Sequence, residues 1–189
     1  MDIRVINESF ATYAIIDNVL DNPNELKQNI INLEPYKKAA NETNTATKDF
    51  KLLKSGYGLF LNELKDNMDY DNILKVMRPV MKKILTELSE KHSFFKMSQF
   101  VDFGLLLNYY GNNDYYLPHV DRALLTIVHY IDAYEYEGGD LMFPELGHGI
   151  KAKDNRMVIF GGSLQHEVKP VIAKENNYRV TLTQFGSCY

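Results

Sequence analysis

Three side chains that can hold a divalent cation stand in a suggestive pattern. His119 and Asp121 are two positions apart, and His166 follows 45 positions after Asp121. On an extended strand, residues i and i+2 point to one face, so the His119 imidazole and the Asp121 carboxylate can converge on one ion. An H-x-D triplet by itself is common on protein surfaces. His166 gives it meaning, because it lies inside a second strand-like run, Leu164–Ile172. Two imidazoles and one carboxylate on neighbouring strands make the facial triad that holds non-haem Fe(II) and leaves coordination positions open for a chelating cosubstrate and O2.

Arg179 is a second feature of chemical interest. It opens the apolar run Tyr178-Arg179-Val180-Thr181-Leu182-Thr183. A cation set between apolar strand residues needs an anionic partner. Arg179 and Thr181 share a face, and a planar guanidinium with a neighbouring hydroxyl suits a carboxylate. The alternative is an Arg that lies outward and solvated at a strand end. His129 alternates away from Tyr130 and reads as structural. His148, between Gly147 and Gly149, reads as a turn residue, and His92 as the end of a helix.

The elements that must position these groups divide along the chain. Phe10 to Ile16 predicts a strand. Asn22-Pro23 then predicts a helix start, with Asn22 as cap and Pro23 in the first turn, running to about Leu33. Lys37–Lys54 is polar and reads as a long loop, of a length often used for lids. Asp71–His92 carries apolar residues at three- and four-residue steps and predicts a helix, kinked or interrupted at Pro79. After Phe100 come eight strand candidates: Phe103–Tyr110, Tyr115–Asp121, Ala123–Asp132, Gly139–Phe143, His148–Lys151, Met157–Phe160, Leu164–Ile172 and Tyr178–Phe185. Gly- and Asn-rich turns separate several of them. Such a series argues for a jelly roll, and helices placed before the sheet argue against a doubly wound α/β fold.

Composition bounds the rest. The chain has 189 residues, 45% of them hydrophobic, enough for a core in one domain. One Cys, Cys188, allows no internal disulfide, and no apolar stretch is long enough for a membrane span. With 21 Lys and Arg against 25 Asp and Glu, the net charge is −4, which disfavours a nucleic-acid partner. The N-terminus lacks the apolar run of a signal peptide. The expectation is a soluble, cytoplasmic, single-domain protein of undetermined oligomeric state.

Four ordered motifs then carry a resemblance. The run Leu107-Asn108-Tyr109-Tyr110-Gly111 through Tyr115-Tyr116-Leu117-Pro118-His119-Val120-Asp121, the strand Glu137-Gly138-Gly139-Asp140-Leu141-Met142-Phe143, the pair Arg156–Phe160 and His166–Val171, and the closing Arg179-Val180-Thr181 resemble the Fe(II)/2-oxoglutarate-dependent dioxygenases, specifically their prolyl 4-hydroxylase-like branch. The resemblance spans about residues 100–185 and is loose before that. It implies a mainly β fold with N-terminal helices, built on a double-stranded β-helix of about eight strands. Residues 1–99 would be a helical support and lid region, and 100–189 the jelly-roll core.

The resemblance also assigns roles. His119, Asp121 and His166 would hold Fe(II). Arg179 would bind the distal carboxylate of 2-oxoglutarate, with Tyr130 as a second donor, Tyr109 near the metal-binding end of the cosubstrate and Thr181 as a further contact. Either tyrosine can instead be core filling. Arg179 stands thirteen positions after His166, later than relatives place their basic residue, which keeps Lys174 as a rival. Apart from the resemblance, polar Lys37–Lys54 and the Gly111–Tyr116 turn, which runs directly into His119, read as a mobile rim over the iron, with Tyr115 and Tyr116 facing the substrate. The implied activity is hydroxylation of a C–H bond, with release of succinate and CO2, using Fe(II), 2-oxoglutarate and O2, with ascorbate as an optional reductant. The substrate would be a prolyl or other side chain in a peptide or protein. A small metabolite or modified base is the alternative substrate, and a cupin-like binding module without oxygenase chemistry is the alternative class.

Overall fold

The computed structural model describes residues 1–42, 47–48, 51–100 and 102–187. In chain order the strands are β1 (Asp2–Glu8), β2 (Ala11–Asp17), β3 (Lys38–Ala39), β4 (Thr47–Lys48), β5 (Lys51–Leu52), β6 (Tyr57–Phe60), β7 (Asp102–Tyr110), β8 (Tyr116–His119), β9 (Leu125–Tyr130), β10 (Tyr136–Gly138), β11 (Leu141–Phe143), β12 (His148–Ile150), β13 (Met157–Gly161), β14 (His166–Val168), β15 (Val171–Ala173) and β16 (Arg179–Ser187). Two helices, α1 (Asn24–Leu33) and α2 (Met68–Lys91), lie between the early strands.

Two antiparallel sheets dominate. The large one runs β1-β2-β13-β9-β16-β7-β6-β3, and the small one runs β12-β11-β14-β8. The central strands of the large sheet are buried on both faces, and the period of two sorts their residues. On β13, Met157 and Ile159 join the cluster that includes Leu26 and Ile30 of α1 and Met77 and Ile84 of α2. Val158 and Phe160 turn the other way, toward Leu141, Phe143 and Ile150 of the small sheet. On β16, Val180 and Leu182 pack on the helix side, while Arg179, Thr181 and Thr183 line the space between the sheets. Polar residues in a buried strand are thereby collected on one inner surface.

The expected double-stranded β-helix is present, and the front of the chain corrects the expected division. Residues 1–99 are not only a helical support. β1 and β2 form a hairpin that extends the large sheet through β13, and β6 with β3 extends it past β7. Pro23 occupies the cap position of α1, while the Asn22 side chain accepts from the Asn24 N–H, a shift of one residue from the expected start. α2 runs through Pro79 without interruption. The expected strand Leu164–Ile172 is two strands, β14 and β15, parted at Lys169-Pro170, since Pro lacks a ladder donor. His148 lies on β12, with Nε2 2.6 Å from Glu8 Oε2.

Asp17 ties the β1–β2 hairpin to the sheet. Arg156 grips it with both prongs, at 2.7 and 3.0 Å, and Arg4 adds a third contact at 3.0 Å. The hydrogen bond from Arg156, with the surrounding charges, holds the Asp17 carboxyl below its ordinary range. Such a group contributes stability fully above the unfolded carboxylate range, and the contribution fades as pH falls through the depressed native value. Asp17→Asn is therefore expected to lower stability by about 1–3 kcal/mol at pH 7. Urea midpoints should show the gap between the two proteins narrowing by pH 3; a constant gap would contradict the ionic account.

Candidate active site

The space between the two sheets is a cavity of about 610 Å³. His119 ends β8, Asp121 follows it in the turn, and His166 begins β14. His119 and His166 are directly paired across the β8–β14 ladder, so strands far apart in sequence bring the two imidazoles side by side. One ligand atom from each of His119, Asp121 and His166 lies within 4.8 Å of the other two. The His119 and His166 Nε2 atoms sit 3.7 and 3.4 Å from the Asp121 carboxylate oxygens.

The surroundings of these residues fit a cation. His119 Nδ1 is 2.8 Å from the Leu117 carbonyl, and His166 Nδ1 is 2.9 Å from the Leu164 carbonyl. Each contact assigns the proton to Nδ1 and leaves the Nε2 lone pair directed at the cluster, an arrangement shared by metal-binding histidines generally. Burial pushes both imidazoles down to about 4, so they are neutral near pH 7. Thr126 Oγ1 donates to Asp121 Oδ2 at 2.6 Å and orients the carboxylate, whose own pKa burial raises. A divalent cation would offset that burial.

Farther along the same cavity lies Arg179, 1% exposed. Among the described residues its Nε and Nη1 have no hydrogen-bond partner, and neither has the buried Tyr130 hydroxyl. The guanidinium carbon is 4.8 Å from the Tyr130 ring centroid and 5.1 Å from that of Tyr110. Unpaired buried donors are costly, and three of them gathered in one place suit a carboxylate. Thr181 lines the wall beside Arg179. Tyr130 packs against the guanidinium without forming part of that wall. Lys174, the rival, is on the surface with Glu135 at 3.7 Å.

The EGG turn supports this arrangement. Gly138 and Gly139 both have positive φ, at 70° and 68°. A Cβ on Gly139 would stand 2.3 Å from Arg179 Cδ. Two glycines that read as a mere turn thus let the backbone pass against the Arg side chain.

Tyr109 is a correction. Its hydroxyl donates to the Ile30 carbonyl at 3.1 Å, and its ring belongs to the helix-side core. Tyr110, one residue on, faces the cavity and pairs across the ladder with Arg179. Strand parity decides between the two, and the register that sets the parity was not legible in a Tyr-Tyr pair. Tyr116 lines the cavity, its ring stacked on His119 at 3.5 Å between centroids. Tyr115 is outside the cavity wall, 36% exposed. His129 is buried on the far side from the triad.

Lys54 was missed. It sits 3% exposed inside the cavity, with Nζ 2.5 Å from Asn108 Oδ1. It belongs to a strap that pairs with the β8 edge: Leu117 N–H donates to the Leu53 carbonyl and Ser55 N–H to the Tyr115 carbonyl. So the expected loop 37–54 is partly strand, and its end does border the site. Residues 43–46 and 49–50 of that loop lie outside the described residues. Polar composition hid a Lys that turns inward at the end of a polar run.

Residues 105–186 match the family model of the 2OG-Fe(II) oxygenase superfamily. The matched stretch runs from β7 to β16 and holds all three residues of the His-Asp-His cluster; the match supports an Fe(II)- and 2-oxoglutarate-dependent dioxygenase, with O2 as that family's oxidant. The oxygenase fold is shared at low sequence identity with solved prolyl hydroxylases. A Pseudomonas putida prolyl-4-hydroxylase superposes with a TM-score of 0.63 at 16% identity, over 94% of this chain and 92% of that one. A Trichoplax adhaerens prolyl hydroxylase, in complex with a hypoxia inducible factor peptide fragment, gives 0.67 at 15%, over 93% and 83%. The viral collagen prolyl hydroxylase of Paramecium Bursaria Chlorella virus-1, in its 2OG complex, gives 0.58 at 18%, over 94% and 96%. No curated protein matches this oxygenase in sequence. No helix among the described residues is long and apolar enough to cross a membrane.

Proposed function

We propose that this chain, as one catalytic domain, hydroxylates a C–H bond of a side chain in a peptide or protein, proline being the first residue to test. The observation that carries the reading is the placement of both binding functions in one cavity: a His-Asp-His cluster and, on the same wall, the buried guanidinium of Arg179 with Tyr130 packed behind it. The peptide-bound Trichoplax relative supports a peptide substrate by shared fold.

In this reading His119, Asp121 and His166 hold Fe(II), and Arg179 and Thr181 receive the distal carboxylate of 2-oxoglutarate, while Tyr130, expected as a second donor, packs against the guanidinium behind the wall. The metal and cosubstrate, when bound, couple oxidative decarboxylation to C–H hydroxylation, releasing succinate and CO2. The protein's own share is positioning. The Leu117 and Leu164 carbonyls fix the imidazoles, Thr126 fixes the carboxylate, and Tyr116 buttresses His119 from the side. Leu141, Val128 and Val168 give the cavity apolar walls, which limit water around the reacting groups.

Purified protein supplied with Fe(II), 2-oxoglutarate and O2 is expected to release succinate slowly, and faster with a matching proline-containing peptide, which gains one oxygen atom by mass spectrometry. Absence of succinate under all conditions would instead favour a binding module.

Gly139→Ala is expected to push Arg179 out of place, raising the 2-oxoglutarate KM about tenfold or more through lost charge-assisted bonds. Metal affinity should stay unchanged. Equal loss of metal and cosubstrate binding would point to general misfolding.

A further inference from the structure

Lys54 gives the cavity a buried cation that the metal and cosubstrate do not require. Iron, the Asp121 carboxylate, the two carboxylates of 2-oxoglutarate and the Arg179 guanidinium balance to zero among themselves. Lys54 stands outside that balance. Among the described residues no carboxylate oxygen lies within 4 Å of its Nζ, and its single hydrogen bond runs to the neutral Asn108 side chain. The Nζ lies 5.2 Å from the Tyr110 ring centroid and 5.9 Å from that of Tyr116. Burying an ammonium is unfavourable unless something anionic meets it.

Lys54 and Arg179 both approach the Tyr110 ring, at 5.2 and 5.1 Å, but different elements carry them. Lys54 is carried by the strap on the β8 edge and bridges in register to Tyr116, whose ring is stacked on His119. It therefore serves the metal end of the cavity, where the C–H bond must be presented. A third cation lining the cavity, Arg122, is exposed at the rim. The strap also places exposed Leu52 and Tyr115 beside this end, a face through which a substrate can arrive.

We infer that Lys54 is a specificity residue that grips a carboxylate of the prime substrate, so that this enzyme prefers substrates with an anionic group next to the hydroxylated carbon. The inference rests on the Fe(II)/2-oxoglutarate reading above. Burial and the Arg179 charge push the Lys54 ammonium down to about 7, and an incoming carboxylate would restore its charge. The carboxylate can belong to a free amino acid or chain end, or to an acidic side chain beside the target residue.

The test uses the full chain with Fe(II) and 2-oxoglutarate under anaerobic conditions. The charge-transfer absorbance of that complex reports cosubstrate affinity and shows separately whether the underlying reading holds. Calorimetry then measures binding of N-acetyl-proline, N-acetyl-leucine and N-acetyl-aspartate α-amide against the same compounds with every carboxylate converted to amide. The first two present a chain-end carboxylate and the third a side-chain one. Wild type is expected to favour an acid over its amide by about tenfold or more. Lys54→Gln, which retains a donor for Asn108, and Lys54→Met should both lose that preference while 2-oxoglutarate affinity changes by less than about threefold. No acid preference in wild type, or an undiminished preference in either folded variant, overturns the inference. So does a large loss of 2-oxoglutarate affinity, which would place Lys54 in the cosubstrate site.

Discussion

His166→Ala is expected to abolish tight binding of Fe(II), or of Mn(II) as a surrogate, and with it all succinate release. The expectation follows from the ladder that sets His166 opposite His119 and from the single nitrogen each ring leaves free. Removing one of three protein ligands leaves a two-ligand site, and even loss of a group that only orients a ligand lowers metal affinity about 10- to 100-fold. His129→Ala is the matched control, since that ring is equally buried but faces the helix-side core. It should lower thermal stability while leaving metal stoichiometry intact. Full metal occupancy in His166→Ala would remove the assignment.

The second large effect concerns the choice between Arg179 and Lys174. Arg179→Ala should raise the 2-oxoglutarate KM on the order of 100-fold, as expected when two charge-assisted hydrogen bonds are lost together. Lys174→Ala should change it less than about twofold, as is usual for a solvated surface ion pair. Lys174 is 83% exposed at its side chain and Arg179 is almost wholly buried. The reverse order would show that the cosubstrate carboxylate is bound from the polar turn and that the buried Arg is structural. Thr181→Val, which keeps shape and removes the hydroxyl, should fall between the two.

How much of this could be read in the chain depended on periodicity. Most strands from β7 onward are separated by Gly and Asn turns, so their existence was visible, and so were the H-x-D pair, the distal His and the buried Arg; β10 fell outside every candidate, and β14 and β15 read as one strand. β1 was not visible because its polar residues, in Asp-Ile-Arg-Val-Ile-Asn-Glu, mark an edge strand with one wet face, and its turn uses Ser9 at φ 43° in place of a glycine. The two-residue strands β3, β4 and β5 are too short to show any period. Tyr109 and Tyr110 could not be told apart without knowing that Arg179 is opposite Tyr110. Lys54 was hidden because burial of a Lys is decided by what packs over it, here a strap that meets a strand more than sixty residues later.

The two sheets meet at this cavity chiefly through side chains, and the candidate binding groups are divided between them. The histidines belong to β8 and β14 of the small sheet, and Arg179 belongs to β16 of the large one. A cosubstrate chelated at one end and held by Arg179 at the other would be a cross-brace between the two layers, added to the short chain segments that already join β7 to β8 and β8 to β9. Metal alone would fasten only the small-sheet side. Metal and 2-oxoglutarate together should therefore raise the melting temperature by more than the sum of their separate effects, as linkage requires when one ligand completes the site for the next. The loaded enzyme would then be mechanically a single block, with the strap that lies over β8 left as the part still free to move for substrate.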